Sequence, residues 1–359
     1  MIPSIRAWCA GALLSAPAFA ALGALPAQPM TPALRTQVVE NAIREMSARY
    51  VFPDIAMKVA VALGDKLRAK AYDGLDDPVL FAERLTVDLR DVTHDLHVRV
   101  RYSAEPLPPP GADDETPSPE QVAAYRRESA AHNFGVERVE RLPLNVGYID
   151  LRGFDDIDVA APAITAAMTL VAHTDALIVD LRANGGGDPA TVAFMSSYLF
   201  DQRTHLNSLY WRKGDRTEQF WTSEWVPGPR FGQAKPVYVL TSAKTFSGAE
   251  EFSYNLKNLK RATIIGETTG GGANPGDRQQ LSPHFDLFVP SGRAVSPITH
   301  TNWEGVGVTP DVKVVAADAL RNAQLLALKS LAAKPHAAGD AAAYAARIAE
   351  LEKSSPQAN

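Results

Sequence analysis

The sequence predicts an α/β fold, in which a mixed sheet flanked by helices follows a small group of N-terminal helices. Two observations lead to this prediction. After Leu144, short apolar runs of strand type alternate with helical stretches, which is the pattern of strand-helix-strand units. Between Thr31 and Thr93, apolar residues recur at helical spacing in three successive stretches.

The composition is that of a globular chain with a sizeable core. Of the 359 residues, 46% are hydrophobic and 21% are charged. The formal net charge is −5 and there is no long basic run, so a nucleic acid is not an expected partner. Beyond the N-terminal stretch no segment is long and apolar enough for a transmembrane helix, and stable membrane insertion is not expected.

The first residues have the features of an export signal. One basic residue, Arg6, precedes an apolar run and an Ala-Phe-Ala cleavage pattern. We therefore assign residues 1–20, or 1–27 at the longest, to a signal peptide and expect a periplasmic or secreted mature protein. Cys9 is the only cysteine and lies inside this segment, so disulfides, thiol catalysis and cysteine-ligated metals are not expected.

Three helices make up the predicted N-terminal domain, residues 28–97. The first begins with Thr31 as a cap and Pro32 at the first helical position, and Pro53 interrupts the pattern before the second. After the third, HVRVRY alternates like a strand and is followed by a stretch rich in proline and acidic residues. Residues 98–120 are therefore interpreted as a strand and an exposed linker.

Residues 121–316 are assigned to the α/β core. The runs NVGYIDL, ALIVDL, PVYVLTS and RATIIGE predict strands, and helical stretches separate them. In such sheets, active sites gather where the C-terminal ends of strands meet the N-termini of helices. Residues 208–225 mix aromatic and basic side chains and favour a strand pair over a cleft wall. Residues 317–359 form an Ala-rich helical tail in which no chemistry is predicted.

A turn of three glycines follows the predicted strand ALIVDL. Gly185, Gly186 and Gly187 let the backbone turn sharply and bring bare N–H groups close to an anion or an oxyanion. The spacing matches neither the dinucleotide fingerprint nor a P-loop. A plain tight turn is the alternative interpretation.

Ser247 stands between the strand PVYVLTS and an amphipathic helix. It is either a helix cap or a nucleophile at the positive end of that helix. If it is a nucleophile, amides from the turn at Gly186 and from Gly248 can converge on one carbonyl oxygen, which is the geometry of acyl transfer.

A serine nucleophile also needs a base, and two of the eight histidines are the strongest candidates. His94 and His97, in the stretch HDLHVRV, lie at the junction of the third helix and a strand. Their spacing also allows two metal ligands, but the sequence suggests no third, so a zinc site is not expected. Glu250 and Glu251 are interpreted as supporting the first helical turn against the helix dipole.

Together these motifs resemble the serine peptidase family that contains tricorn core peptidases, C-terminal processing peptidases and the repeats of interphotoreceptor retinoid-binding protein. The segments YVFPD, HDLHVRV, LIVDLRANGGGD, TSAKTFSGAEEF and NWEGVGVTPDV occur in the order of that family and span most of the mature chain. The resemblance implies a crotonase/ClpP-like core. It also implies a serine peptidase that hydrolyses peptides or unfolded proteins through an acyl-enzyme.

The resemblance extends to one branch of this family. In C-terminal processing peptidases a lysine follows the serine by 25 positions, whereas here that position is Gly272, since 272 − 247 = 25. The Ser–Lys dyad is therefore absent. The segment between His97 and Leu144 is too short for the PDZ domain of those enzymes. The chain thus resembles the branch of retinoid-binding protein type, which has no PDZ domain.

In tricorn-like members the base is a histidine that follows the N-terminal helices, and a glutamate near the end of the core helps to orient it. By resemblance these roles fall to His97 and Glu304. His94 and Glu267 are the alternatives for the same two roles. Leu96 replaces the serine that precedes this histidine in tricorn.

The implied site joins a nucleophile, a base, an orienting acid and three oxyanion donors, namely Ser247, His97, Glu304, Gly186, Gly187 and Gly248. Neither a cofactor nor a metal is expected. A non-catalytic binding protein for an apolar ligand, built on the same fold, is the alternative function, because some relatives of the retinoid-binding type are carriers.

Overall fold

The structure is a computed structural model and describes residues 30–107, 118–334 and 338–353. The predicted signal peptide lies outside these residues, as does much of the predicted linker. Among the helices of the described ranges, none has the length and hydropathy that crossing a membrane requires.

The chain alternates between helices and strands after an N-terminal group of helices. The helices are α1 (Pro32–Arg49), α2 (Pro53–Arg68), α3 (Pro78–Thr93), α4 (Pro119–Ala131), α5 (Ile157–Val171), α6 (Pro189–Ser197), α7 (Gly248–Asn258), α8 (Ala316–Ala332) and α9 (Ala338–Lys353). The strands are β1 (Arg99–Tyr102), β2 (Val136–Leu142), β3 (Val146–Leu151), β4 (Ala176–Asp180), β5 (His205–Trp211), β6 (Arg216–Trp221), β7 (Val237–Thr241), β8 (Thr263–Gly266), β9 (Gly276–Ser282), β10 (Phe285–Pro290), β11 (Gly292–Val295) and β12 (Val312–Lys313).

A six-stranded mixed sheet with the order β12-β8-β7-β4-β3-β2 forms the centre of the core. Strand β2 pairs antiparallel with β3, and the remaining neighbours are parallel. Strands β3, β4 and β7 are buried throughout, as their continuous apolar sequences require. The predicted mixed α/β core is therefore confirmed.

Helices cover both faces of this sheet. Buried apolar residues of α5, α6 and α7 form one core with it. On the other face lies the tail helix α8, whose Ala319, Ala323 and Ala327 are fully buried. Alanines four residues apart lie on one side of a helix, and their small side chains allow a close approach to the sheet.

The predicted group of three N-terminal helices is also confirmed. Helices α1, α2 and α3 each begin with a proline, and Thr31 and Asp77 cap the first and third. They pack on a second sheet with the order β1-β10-β9, which is antiparallel. Strands β9 and β10 come from the far end of the core sequence. The N-terminal helices are thus held against the core by two of its own strands.

The aromatic and basic segment at residues 208–225 is a strand pair, as predicted. Strands β5 and β6 pair antiparallel, and β11 extends them to three strands. The Arg203 guanidinium lies 4.6 Å from the centroid of the Trp221 ring. The His205 ring stacks on the same Trp221 ring, with the two centroids 4.5 Å apart. Asn207 of β5 is fully buried in this region.

Candidate active site

Ser247 lies in the segment between β7 and α7, immediately before the helix, and has an unusual backbone conformation. Its φ of 51° and ψ of −121° lie in a region that residues with a side chain rarely adopt. Such a conformation costs on the order of 1–3 kcal/mol and is frequent at functional sites. It places the serine at the N-terminal end of α7, where the helix dipole favours negative charge.

The glycine turn after β4 lies against this serine. A Cβ atom added to Gly186 would lie 2.7 Å from Gly248 N and 2.7 Å from Ser247 Cβ. A Cβ atom added to Gly187 would overlap the Phe154 carbonyl oxygen. Their φ angles of 106° and 138° also favour glycine. Only glycine therefore permits the close approach between the turn and the serine.

Of the amides of Gly186 and Gly187 in this turn, one is already hydrogen-bonded within the fold and the other lies close to α7. Gly186 N donates to Asn184 Oδ1 at 2.8 Å, so this amide already has an acceptor within the fold. Gly187 N lies close to the start of α7, since a Cβ atom added to Gly248 would be 3.0 Å from it, and no acceptor for this amide is found within the described part of the fold. Asn184 is fully buried and also donates to Leu151 O at 3.0 Å. Among the predicted oxyanion donors, this favours Gly187 and Gly248 and gives Gly186 a packing role.

The His97 ring reaches the same region from the end of α3. Its centroid lies 4.6 Å from that of Phe246, the residue before the serine, and 5.8 Å from that of Phe288. The side chain is 10% exposed. Neither ring nitrogen has a hydrogen-bond partner among the described residues, so the bond between His97 and Ser247 is not formed in this structure.

Gly272 lies beside the same imidazole. A Cβ atom added there would lie 2.6 Å from His97 Cε1 and would overlap the Phe246 ring. A lysine at this position would therefore collide with both rings. The absence of the Ser–Lys dyad, predicted from the sequence, agrees with the position of His97.

Asp95 is a buried acid next to His97 that the sequence analysis did not single out. Its Oδ1 accepts a hydrogen bond from His97 N at 2.9 Å and lies 3.7 Å from His97 Nδ1. Its Oδ2 accepts from Asn274 Nδ2 at 2.9 Å and from the Tyr50 hydroxyl at 3.3 Å. The side chain is 1% exposed. These bonds fix the carboxylate beside the imidazole.

Glu304 lies in the same cluster. One ligand atom from each of Asp95, His97 and Glu304 lies within 4.8 Å of the others. Glu304 Oε2 accepts a hydrogen bond from Ala273 N. Burial, and after it the charge of Asp95, raise the pKa of Glu304 to about 8 against the opposing effect of the Ala273 amide. Glu304 is therefore mostly protonated at neutral pH.

The two alternative residues are found elsewhere. His94 is exposed and ends α3 in the left-handed conformation, with its N–H donating to Arg90 O at 2.8 Å. Glu267 accepts from Ala243 N at 3.3 Å and from Ala316 N at 3.1 Å, at the start of α8. The structure therefore brings His97 and Glu304 together and gives Glu267 a capping role.

Glu250 connects the serine to a neighbouring loop. Its Oε2 accepts from Ser247 N at 2.9 Å and from Gly272 N at 2.8 Å. Its Oε1 accepts from Gly271 N at 2.7 Å and from the Thr269 hydroxyl. Burial raises its pKa, and these four hydrogen bonds oppose that change. Support of the first helical turn, as predicted, is thus only part of its role.

Glu251 is fully buried, and the predicted support of the helix dipole does not fit its environment. Burial, helped by the charge of Asp188 and opposed by Asn207 and Asn255, raises its pKa to about 8. A carboxyl with this pKa is mostly neutral at pH 7 and therefore carries little charge to set against the dipole.

Because of Glu251, folding stability should fall as the pH rises. The unfolded chain releases this proton near 4.5, whereas the folded chain keeps it up to about 8. Between these values the unfolded state binds fewer protons, so stability is full below pH 4.5 and is lost toward pH 8, by up to about 1.4 kcal/mol per pH unit. Glu251→Gln should flatten this dependence in urea unfolding measured from pH 5 to 8. Glu83→Gln on the exposed face of α3 is the control, and equal slopes for the Glu251 variant and the wild type would contradict the expectation.

Comparison with known proteins identifies the family. Residues 145–314 match peptidase family S41, and residues 30–133 match the N-terminal domain of peptidase S41 in eukaryotic IRBP. The chain belongs to peptidase family S41. This is the family that the sequence motifs resemble.

One curated relative of this S41 chain is the chloroplastic carboxyl-terminal-processing peptidase 2 of Arabidopsis thaliana. The two are 30% identical over 177 residues, which cover 46% of this chain and 31% of the relative. The S41 chain thus spans about a third of the length of the curated relative that it matches.

Two solved structures share the fold. A lipoprotein from Streptococcus agalactiae aligns with a TM-score of 0.52 and 14% identity, covering 85% of this chain and 99% of its own. A protein of Parabacteroides merdae assigned as a peptidase aligns with a TM-score of 0.52 and 17% identity, covering 82% of this chain and 93% of its own. At such identities the likeness concerns the fold alone.

Proposed function

We propose that this S41 chain is an exported serine peptidase that hydrolyses peptides or unfolded proteins through an acyl-enzyme on Ser247. One observation carries the proposal. Ser247 combines a strained backbone with a place at the start of α7, directly against the Gly186–Gly187 turn. A helix cap needs neither the strain nor the close approach of a second backbone, whereas a nucleophile beside an oxyanion hole needs both.

His97 is the proposed base. It would take the proton of the Ser247 hydroxyl as the oxygen attacks the carbonyl carbon, and would then pass that proton to the leaving amine. The missing hydrogen bond between the two residues is compatible with this role, because catalytic hydrogen bonds often tighten only when substrate is bound.

Two acids lie beside this base, and we propose Asp95 as the one that orients it. Asp95 Oδ1 lies 3.7 Å from His97 Nδ1, and it also accepts a hydrogen bond from His97 N, which fixes the positions of the two residues relative to each other. An ionised carboxylate also stabilises the imidazolium that forms during the reaction. The family resemblance implied Glu304 for this role. Glu304 lies in the same cluster, and in this proposal it is a neighbour of the pair and not the acid that orients His97.

The N–H groups of Gly187 and Gly248 are the proposed oxyanion donors. Each would donate to the carbonyl oxygen as it gains negative charge, and the N-terminal end of α7 adds to the positive potential there. Gly186 would keep the turn against the serine through its hydrogen bond to Asn184. Water would then attack the acyl-enzyme with His97 again as the base, and Ser247 would be released.

Labelling with a fluorophosphonate reagent tests this proposal. We expect the wild type to be modified once, and the labelled peptide to contain Ser247 when it is mapped by mass spectrometry. Ser247→Ala should lose the label completely. Ser47→Ala, which removes an exposed hydroxyl of α1, is the matched control and should be labelled like the wild type.

Two results would count against the proposal. Equal labelling of the wild type and Ser247→Ala would exclude Ser247 as the nucleophile. Stoichiometric binding of an apolar ligand, together with no labelling and no cleavage of a broad peptide library, would instead support the binding protein considered from the sequence.

A further inference from the structure

We propose that Asp95, His97 and Glu304 form a binding site for a zinc ion that inhibits this S41 chain. The inhibition rests on the proposed function, because His97 is the base of the proposed peptidase reaction. Zinc binding itself does not depend on that function. The sequence suggested a metal pair of His94 and His97 without a third ligand. The structure instead places two acids around His97, one from the same loop and one from the end of the core.

The donor set and its spacing suit zinc. One imidazole nitrogen and two carboxylate oxygens are ligands that Zn²⁺ commonly takes. The three donor atoms lie within 4.8 Å of one another, and Asp95 Oδ1 is 3.7 Å from His97 Nδ1. Ligands at about 2.1 Å from a tetrahedral ion lie roughly 3.4 Å apart, so the pair of Asp95 and His97 is already close to this spacing.

Unpaired buried atoms provide an independent sign of a missing ligand. Both ring nitrogens of His97 and the Oε1 atom of Glu304 are buried without a hydrogen-bond partner among the described residues. The His97 side chain is nine-tenths buried. Buried polar atoms in folded proteins almost always have a partner. An ion between these groups would satisfy His97 Nδ1 and Glu304 Oε1 at the same time.

The surrounding contacts hold two of the ligands in place. Asp95 Oδ2 is held by Asn274 and Tyr50, while Oδ1 lies on the side of His97. Glu304 Oε2 is held by Ala273 N, while Oε1 has no hydrogen-bond partner among the described residues. Such hydrogen bonds to ligating carboxylates orient them and raise metal affinity.

Binding through Nδ1 would stop catalysis by fixing the tautomer of the base. A neutral imidazole that binds metal through Nδ1 carries its proton on Nε2. Nε2 can then donate a hydrogen bond but cannot accept the proton of Ser247. Zinc would also remove Asp95 from its role as the acid that stabilises the imidazolium. The ion therefore acts as a reversible inhibitor and takes no part in the reaction.

Titration calorimetry with zinc chloride alone tests the site, and Ser247→Ala is the protein to use. In this variant the proposed nucleophile is absent while the three ligands are intact. We expect one zinc ion per chain at pH 8, and a loss of affinity of at least tenfold in Asp95→Asn and in Glu304→Gln. His94→Ala and Glu267→Gln are controls that remove the alternative donors, and they should bind zinc like the parent.

A second measurement connects binding to inhibition. Zinc should inhibit peptide cleavage by the wild type over the same concentration range in which it binds Ser247→Ala, EDTA should reverse this, and magnesium should have no effect. Binding that is unchanged in Asp95→Asn and Glu304→Gln, or lost in His94→Ala, would overturn the site. Binding without any peptidase activity in the wild type would leave the site intact and would contradict the proposed function.

Discussion

Gly186→Ala is expected to lower kcat/KM for peptide cleavage by about 10³-fold while the chain still folds. The new methyl group would lie 2.7 Å from both Gly248 N and Ser247 Cβ, which is closer than real Cβ contacts occur. Either the glycine turn or the serine must move. A shift of about 1 Å at a reacting group costs roughly 10²-fold, and loss of an oxyanion donor costs on the order of 10²–10³-fold.

The control for this variant is Gly214→Ala, in the turn between β5 and β6. Gly214 also has a positive φ, of 77°, but a Cβ atom there would meet nothing within 4 Å. It should therefore lose about 1–2 kcal/mol of stability through backbone strain and keep full activity. Steady-state kinetics and thermal unfolding of both variants separate the two effects. Equal losses of activity in the two variants would mean that strain, and not contact with Ser247, is responsible.

The parts of the fold that could be predicted are those whose signals are local. Alternation of apolar strands and helices between Leu144 and Gly266 predicts four strands of the central sheet, β3, β4, β7 and β8, because each is recognisable from its own few residues. Strand β9 could not be predicted in this way, since its sequence GDRQQLS has little apolar alternation. Its pairing with β10, and that of β10 with β1, depends on contacts between residues far apart in the chain.

The same division holds in the candidate site. Ser247 and the glycine turn could be predicted, because strand ends followed by helix starts mark such sites in any α/β sheet. Asp95 was not recognised, although it stands two positions before His97, because nothing local distinguishes it from a helix-end acid. The roles of Asn184 and Glu250 were missed for a related reason. Each depends on which backbone amides the folded chain brings to its side chain.

Asp95→Asn is expected to lower kcat by about 10³–10⁴-fold with little change in KM. An amide in place of the carboxylate no longer stabilises the imidazolium and can hold His97 in the wrong tautomer. The variant should fold, because its side-chain oxygen can still accept the hydrogen bonds from Tyr50 and Asn274, although its amide nitrogen then faces His97 N and the bond from that N–H is lost. The rate of fluorophosphonate labelling should fall with kcat, since both depend on removal of the Ser247 proton.

Glu304→Gln is the matched comparison, because it makes the same exchange of carboxyl for amide in the same cluster. Its pKa of about 8 means that Glu304 is mostly neutral at pH 7, so the neutral glutamine should lower kcat by only about tenfold or less there. Above pH 8 Glu304 of the wild type becomes charged, so the pH profiles of kcat of the wild type and of Glu304→Gln should then differ. If Glu304→Gln lowers kcat at pH 7 more than Asp95→Asn does, then Glu304 and not Asp95 orients His97, and the roles of the two acids in the mechanism are exchanged.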